Sequence, residues 1–330
     1  PFLLVLLVLA LAIALSIAVG SVFIPPRDLW LVLTGRSPVD VDQAAAIILT
    51  LRLPRTALVL LTGAALGTSG AAYQGLFRNP LADPYLVGVA SGAGLGAVLA
   101  MSLQWPYTAA GLLAVPAAAF IGALGTVFLV YFLARVGKTL PTTNLILAGV
   151  AFSFFASALT SYLMLRSTGE LRRAIAWLLG GSAQVGWGPV LSILPFLLPA
   201  LAVLLLSGHA LNLLQYGDEQ AAQMGLPVLR VRTFLLIAAS LATASAVAFS
   251  GIIGFIGLIV PHIMRLAFGA DHRRLLPLSL LGGAALLLLS DVLARVVMSP
   301  EELPVGIVTA LAGVPFFLWI LRRAKNQGYW

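Results

Sequence analysis

Hydrophobic residues in this chain run in long unbroken blocks rather than in strand-like alternation. Blocks bounded by Pro, Gly and charge fall at roughly 2–24, 56–76, 85–103, 111–134, 143–165, 190–207, 233–250, 252–268, 277–297 and 305–321. Runs of about 20 apolar residues, rising about 1.5 Å per residue as helices, are long enough to cross hydrocarbon. The ten-residue alternating segments of a membrane barrel are a different pattern. The blocks predict an all-α polytopic membrane protein with about ten transmembrane helices in a single domain over 1–330. The Gly251–His262 region reads either as part of a span or as a broken helix. Phe2–Val19 has the apolar character of a signal peptide but lacks a basic leader and an A-x-A-like site, and more spans follow. It is expected to be the first span. The opening at Pro1 without Met leads us to expect a basic tail ahead of it.

The stretch Gly63–Ala97 carries two Gly- and Ala-rich arms around a short polar knot, Arg78-Asn79-Pro80-Leu81-Ala82-Asp83-Pro84. Pro80 and Pro84 cannot continue a helix and push the residues before them toward extended geometry. The knot is therefore expected to be a tight hairpin between two membrane helices. Gly63, Gly67, Gly70, Gly88, Gly92 and Gly96 fall three and four apart within the arms, as close helix packing in lipid requires. Gly92-Ala93-Gly94-Leu95-Gly96 has no preceding strand and no following Lys-Ser/Thr, so it reads as a packing stripe and not a phosphate loop.

Composition sharpens this picture. The chain is 61% hydrophobic and 9% charged, with mean hydropathy +1.06, where a soluble protein carries charge on about a quarter of its residues. The absence of Cys removes disulfides, thiolate metal sites and iron–sulfur ligation. The net charge of +8 lies between apolar blocks rather than in basic–aromatic runs, so it marks topology and not nucleic acid. With the N-terminus cytoplasmic, eleven Lys and Arg fall inside: Arg78, Arg135, Lys138, Arg230, Arg232, Arg265, Arg273, Arg274, Arg322, Arg323 and Lys325. Eight fall outside: Arg27, Arg36, Arg52, Arg55, Arg166, Arg172, Arg173 and Arg295, for the nineteen in all. The sign is the expected one, and the C-terminus is then also cytoplasmic.

Four polar segments separate the blocks. Pro25–Arg55 is a long outer connection, and 166–188 contains a short amphipathic helix. The segment 208–232 is the longest cytoplasmic connection, with two helical pieces broken at Gly217 and at Gly225-Leu226-Pro227. Gly269–Arg274 is a tight turn. The pair in 208–232 is patterned as a docking element for a cytoplasmic motor, or as an ordinary loop. His209, His262 and His272 share no metal-ligand spacing. No nucleophile-elbow motif marks a membrane enzyme. Asp291 and Arg295 are four apart on one helix face, so they form an internal ion pair, or Asp291 holds Arg295 toward a partner protein; both readings stand. Arg52 and Arg55, beside Pro54, either snorkel to headgroups or present rigid guanidinium forks to carboxylates of a soluble protein.

LRLPR (51–55), GAALGTSGAAYQGLFRNPLADPYLVGVASGAG (63–94), LILAGVA (145–151), WLLGG (177–181), GDEQAAQMGLP (217–227), GIIGFIGLIVPHIMRLAFGADHRRLLP (251–277), SDVLAR (290–295) and ELPVGIVTALAGVPFFLWIL (302–321) cover nearly the whole chain in order. Together they resemble the membrane permeases of ABC importers for iron–siderophore, haem and vitamin B12, a type II importer fold. The resemblance implies ten helices per subunit and a homodimer, or a pair with a homologous permease. It also implies two cytoplasmic ATPase subunits that use ATP and Mg, and a periplasmic or lipoprotein substrate-binding protein. The setting is a bacterial or archaeal cytoplasmic (inner) membrane. No cofactor is expected on this chain and no catalysis by it.

By the same resemblance, Arg52, Arg55 and Arg295 receive acidic residues of the binding protein. Gly217, Asp218, Glu219, Ala221, Met224 and Gly225 form the coupling segment on the ATPase. Thr142, Thr143 and Asn144 stand at the cytoplasmic gate, and the fifth and tenth spans line the path. Gln74, Arg78, Asn79, Pro80, Asp83 and Pro84 belong to the hairpin motif. The expected activity is import of a ferric siderophore, haem or cobalamin by alternating access. An ion-gradient-driven secondary transporter is the alternative, for which Asp291 is nearly the only intramembrane carboxylate.

Overall fold

The computed structural model describes residues 1–20, 24–34, 45–103, 109–137, 139–166, 169–181 and 186–325. Lys138 and Arg36, and the 35–44 part of the first long connection, lie outside the described residues. The helices in chain order are α1 (Phe2–Ala18), α2 (Pro26–Leu33), α3 (Leu53–Phe77), α4 (Val89–Ser102), α5 (Ala109–Ala134), α6 (Thr142–Arg166) and α7 (Leu171–Leu178). They continue as α8 (Trp187–Leu206), α9 (Gly208–Leu214), α10 (Asp218–Gln223), α11 (Val228–Ser250), α12 (Ile256–Phe268), α13 (His272–Val296) and α14 (Val305–Lys325). A π-helical turn, Ile47–Arg52, leads into α3, and a 3-10 turn, Pro84–Val87, leads toward α4.

Ten of these helices coincide with the ten apolar blocks. Among the described residues, six helical stretches are long and apolar enough to cross a membrane: Ile47–Phe77, Leu113–Ala134 within α5, α6, α8, α11 and α13. The other four apolar helices, at α1, α4, α12 and Val305–Ile320 within α14, are shorter. Three differences from the sequence pattern have simple causes. The connection after α1 is not a plain loop, because Pro26 starts α2, where its fixed φ suits a first helical turn. The ninth span begins at His272, not at Pro277: Asp271 caps it by accepting from Arg273 N at 3.0 Å, and Pro277 falls in the early turns. The eighth span is the broken helix. Residues 251–255 are irregular, Phe255 takes φ +69°, and only 13 residues remain helical in α12.

α3 is the axle of the bundle. Every residue from Thr62 to Phe77 is buried, on all faces of the helix. A helix apolar or small all round is an interior helix. α13, α11, α12 and α8 pack around it. The close seams are set by glycine pairs. A Cβ on Gly63 would strike the Gly283 carbonyl of α13, and one on Gly92 would strike Gly122 of α5. The GAGLG stripe is thus a packing surface between α4 and α5, as its setting predicts.

The knot is the tight hairpin that Pro80 and Pro84 require. Arg78 closes α3 in the left-handed conformation, φ 51°, and Asn79 N donates to Gln74 O at 3.1 Å. Asn79 Oδ1 accepts from Leu81 N, and Asp83 Oδ1 accepts from Tyr85 N at 2.8 Å. Pro84 is buried against Gly257, while Pro80 is exposed. The Tyr85 hydroxyl then clasps the irregular 251–255 segment, donating to Ile253 O at 2.8 Å and accepting from Ile253 N at 3.2 Å. Non-helical backbone at membrane depth is tolerated when protein satisfies it in this way.

Candidate functional site

Two charged clusters sit at opposite ends of the bundle. The first gathers where α1 ends, α3 begins and α13 ends. α1 carries no basic residue in its last turn, so its final carbonyls need donors from elsewhere. Arg52 Nη1 donates to Ile17 O at 2.7 Å and Ala18 O at 2.8 Å. Arg295 Nη1 donates to Ser16 O at 3.1 Å and Val19 O at 2.9 Å, and Nη2 to Ser16 Oγ at 3.2 Å. Two arginines from other helices therefore cap α1.

Asp291 balances them. Its Oδ2 lies 3.0 Å from Arg295 Nε, whose hydrogen goes to the Asp291 carbonyl. Its Oδ1 accepts from Arg55 Nη2 at 2.9 Å and Nε at 3.2 Å. Arg55 Nη1 reaches on to Glu302, 2.6 Å, just before α14. A cavity of about 250 Å³ opens beside this network, lined by Arg55, Thr62, Ser250, Asp291 and Glu302 among others. Of the two readings of the Asp291–Arg295 spacing, the structure contains the internal pair. The outward forks are not what it contains: Arg52 and Arg295 are 7% and 4% exposed, because the end of α1 draws them inward. Arg55 keeps a third of its side chain exposed. Ser16 and Glu302 are the members that spacing missed. Glu302 was legible as an acidic residue just before the tenth block, facing an end rich in arginine.

The second cluster lies at the opposite end. The segment after α8 folds as the two helical pieces expected of it, α9 and α10, with breaks at Gly217, φ +100°, and Gly225, φ +87°. Ala221 is buried, while Glu219 and Met224 are exposed. Asp218 begins α10 and pairs with Arg232 of α11 at 2.8 Å. Arg232 Nη1 points to Leu140 O, 3.5 Å away, at the outer limit of a hydrogen bond. Thr142 and Leu145 share a crevice with Arg232, Leu76, Phe77 and Leu140. Thr143 is exposed and Asn144 half-buried in the same first turn of α6.

The hairpin motif meets this end too. Gln74 is buried, accepting from Arg265 Nη2 at 2.9 Å and donating to Gly257 O and Leu258 O at 3.4 and 3.3 Å. Gln215 Nε2 donates to Gly75 O at 2.9 Å, and Asn212 bonds both Asp271 and the His272 backbone. α9 is thereby stitched to α3 and α13. Burial pushes the Asp83 carboxyl up to about 6, against the lowering effect of its bond from Tyr85 N. The Asn212 amide, bonded at 2.6 Å, holds the exposed Asp271 below the usual carboxylate range.

The sequence profile of the FecCD transport family matches residues 6–323, spanning both clusters and every helix between them. The chain belongs to the FecCD transport family. A hemin transport system permease, HmuU, of Yersinia pestis is 42% identical over 329 residues, 99% of this chain and 96% of that protein. A cobalamin import system permease, BtuC, of Halobacterium salinarum is 46% identical over 281 residues, 85% of this chain and 74% of that protein. A solved structure described as an inward-facing conformation of a metal-chelate type ABC transporter superposes with TM-score 0.85 at 33% identity, covering 97% of both chains. This FecCD chain is an all-helical, multi-pass membrane permease of the ABC type.

Proposed function

We propose that the chain is the translocation subunit of an ATP-driven importer that passes a metal chelate from a substrate-binding protein into the cytoplasm. Ferric siderophore is our first choice of cargo, with haem and cobalamin as the others. The family match through all ten apolar helices carries this reading. The α9–α10 pair supports it, because it lies against the end of the bundle with Glu219 and Met224 left exposed for a motor to rest on. ATP and Mg act on two separate ATPase subunits, and this chain carries no catalysis.

In this reading the Arg55–Asp291–Arg295 end faces outward and the α9–α10 end faces the cytoplasm, with both termini inside. Two copies meet along α6 and α14, whose apolar faces are uncovered: Phe154 is 74% exposed and Leu311 71%. Thr142, Thr143 and Asn144 gate the path at its inner end. The binding protein's carboxylates first meet Arg55, the most accessible of the three arginines, and Arg52 and Arg295 hold the platform beneath it. Closure of the ATPase dimer then favours one of two permease conformers, and the docked receptor favours the same switch. Asp291 is engaged by two arginines, which disfavours it as the ion site of a gradient-driven carrier.

The deciding experiment is gentle purification from native membrane and weighing of the intact complex. Two copies with two ATPase subunits, lost on changing 217–225, are expected, and the chelate held by the partner binding protein then names the cargo. A lone chain whose transport survives ATP depletion but not a protonophore would overturn the proposal.

A further inference from the structure

Arg232 is a buried guanidinium that has not used its donors. Its side chain is 8% exposed, yet Nε has no hydrogen-bond partner and Nη1 reaches Leu140 O only at 3.5 Å. The one short contact is Nη2 to Asp218, 2.8 Å. Buried polar groups are normally satisfied, and a charged donor left short is costly. Such a group is poised to gain contacts in a second arrangement. Its two neighbours belong to elements of different duty. Asp218 opens α10, a six-residue helix too short to hold its own shape. Leu140 stands two residues before Thr142, where α6 begins. Arg78 closes in from the α3 hairpin, with Nη1 3.4 Å from where a side chain on Gly217 would lie.

We propose that Arg232 is the positioning residue that ties α10 to the gate-bearing start of α6, so that displacement of α10 is passed through one guanidinium to the 140–145 segment. The inference rests on the reading of α10 as the ATPase-facing element and of Thr142–Asn144 as the gate. Arginine suits the task because its planar fork can hold a carboxylate with one nitrogen and a carbonyl with another, whereas an ammonium is a point charge.

The chain has no Cys, so a spin label on Leu147→Cys, exposed one turn beyond Thr143, reports gate movement uniquely for this subunit. The label-to-label distance between the two copies is read in the complete reconstituted complex, with and without ATP and Mg, beside ATP hydrolysis. In the otherwise unaltered chain the distance changes with nucleotide; no change there overturns the α10 and gate reading rather than the relay. Arg232→Lys keeps a cation for Asp218 but not the span. The exchange Asp218→Arg with Arg232→Asp restores an ion pair, but a carboxylate at 232 cannot donate to Leu140 O. Both are expected to hydrolyse ATP while losing the nucleotide-driven distance change. A retained change in either variant overturns the relay. Loss of hydrolysis together with movement also overturns it, because the pair would then seat the ATPase instead of moving the gate.

Discussion

At the end of the bundle where α1 stops, Arg52, Arg55 and Arg295 give nine donor contacts to five backbone carbonyls, one hydroxyl and the carboxylates of Asp291 and Glu302 within 3.3 Å. At the opposite end, Arg232 has one short contact, one long one and an idle Nε. Both sets of guanidinium groups are largely hidden. The difference lies in satisfaction, and it separates a clamp from a joint. A buried charge network whose arginines are each held by several short bonds resists rearrangement, even with Asp291 Oδ2 left to its ion pair alone, while a guanidinium with one short bond has another arrangement to reach. On the proposed function, stiffness would serve the end that receives the binding protein, and slack the end through which motion is passed.

The contrast breaks most visibly at Asp291. Removing one partner of a buried pair costs about 3–5 kcal/mol, so Asp291→Asn, which strands Arg295, is expected to lower the detergent-solubilised melting temperature sharply and cut the yield of monodisperse protein. A melting temperature unchanged from the parent would end the clamp description. At the joint, Arg232→Met removes a buried charge that has only one short bond and leaves its partner Asp218 half in solvent; with no buried charge left behind, stability is expected to shift by only about 1 kcal/mol or less. A loss as large as that for Asp291→Asn, in the same melting assay, would erase the distinction between the two ends.

Glu302 tests the boundary of the clamp. It is exposed and occupies Arg55 Nη1, the nitrogen an incoming carboxylate would seek. Glu302→Gln is expected to change stability by about 0.5 kcal/mol while raising affinity for the binding protein, measured by titration in nanodiscs; weaker binding would mean that Glu302 itself receives the partner. The smallest effect concerns Asp83. Because burial raises its carboxyl to about 6, the protonated form fits the folded hairpin better. Its contribution is complete below its unfolded value of about 3.9 and is lost as pH rises through about 6. A shallow fall in melting temperature over that window is expected, and Asp83→Asn should flatten it.

The sequence made the membrane helices legible because lipid imposes one rule on every span, and apolar length is its direct record. The hairpin was equally readable, since Pro80, Pro84 and the Gly stripe leave the backbone few choices. The arginine cluster was readable as residues but not as directions. LRLPR and SDVLAR bring Arg52, Arg55 and Arg295 to one end, yet only the position of α1's last carbonyls turns two of them inward, and no spacing within either motif encodes a third helix. Arg232 had no signal of its own. It counted as one more cytoplasmic cation until the fold set it between Asp218 and Leu140, residues 14 and 92 positions away.

The interrupted eighth span has a consequence for how the molecule is made. At 13 residues, α12 is about 20 Å long against about 30 Å of hydrocarbon, and it carries Arg265 and His262. Neither its length nor its chemistry lets it partition into lipid unaided. Its lodging is protein: Gln74 takes Arg265, Pro84 and Leu66 close on Gly257, and Tyr85 holds the preceding strand of backbone. All of those hosts are synthesised more than 150 residues earlier. α12 is thus lodged between two generations of helices: α3 and its hairpin precede it in synthesis, while α13, which packs along it through Gly282 against Met264 and Val260, follows, so its hold on the bilayer is expected to be complete only once α13 has arrived.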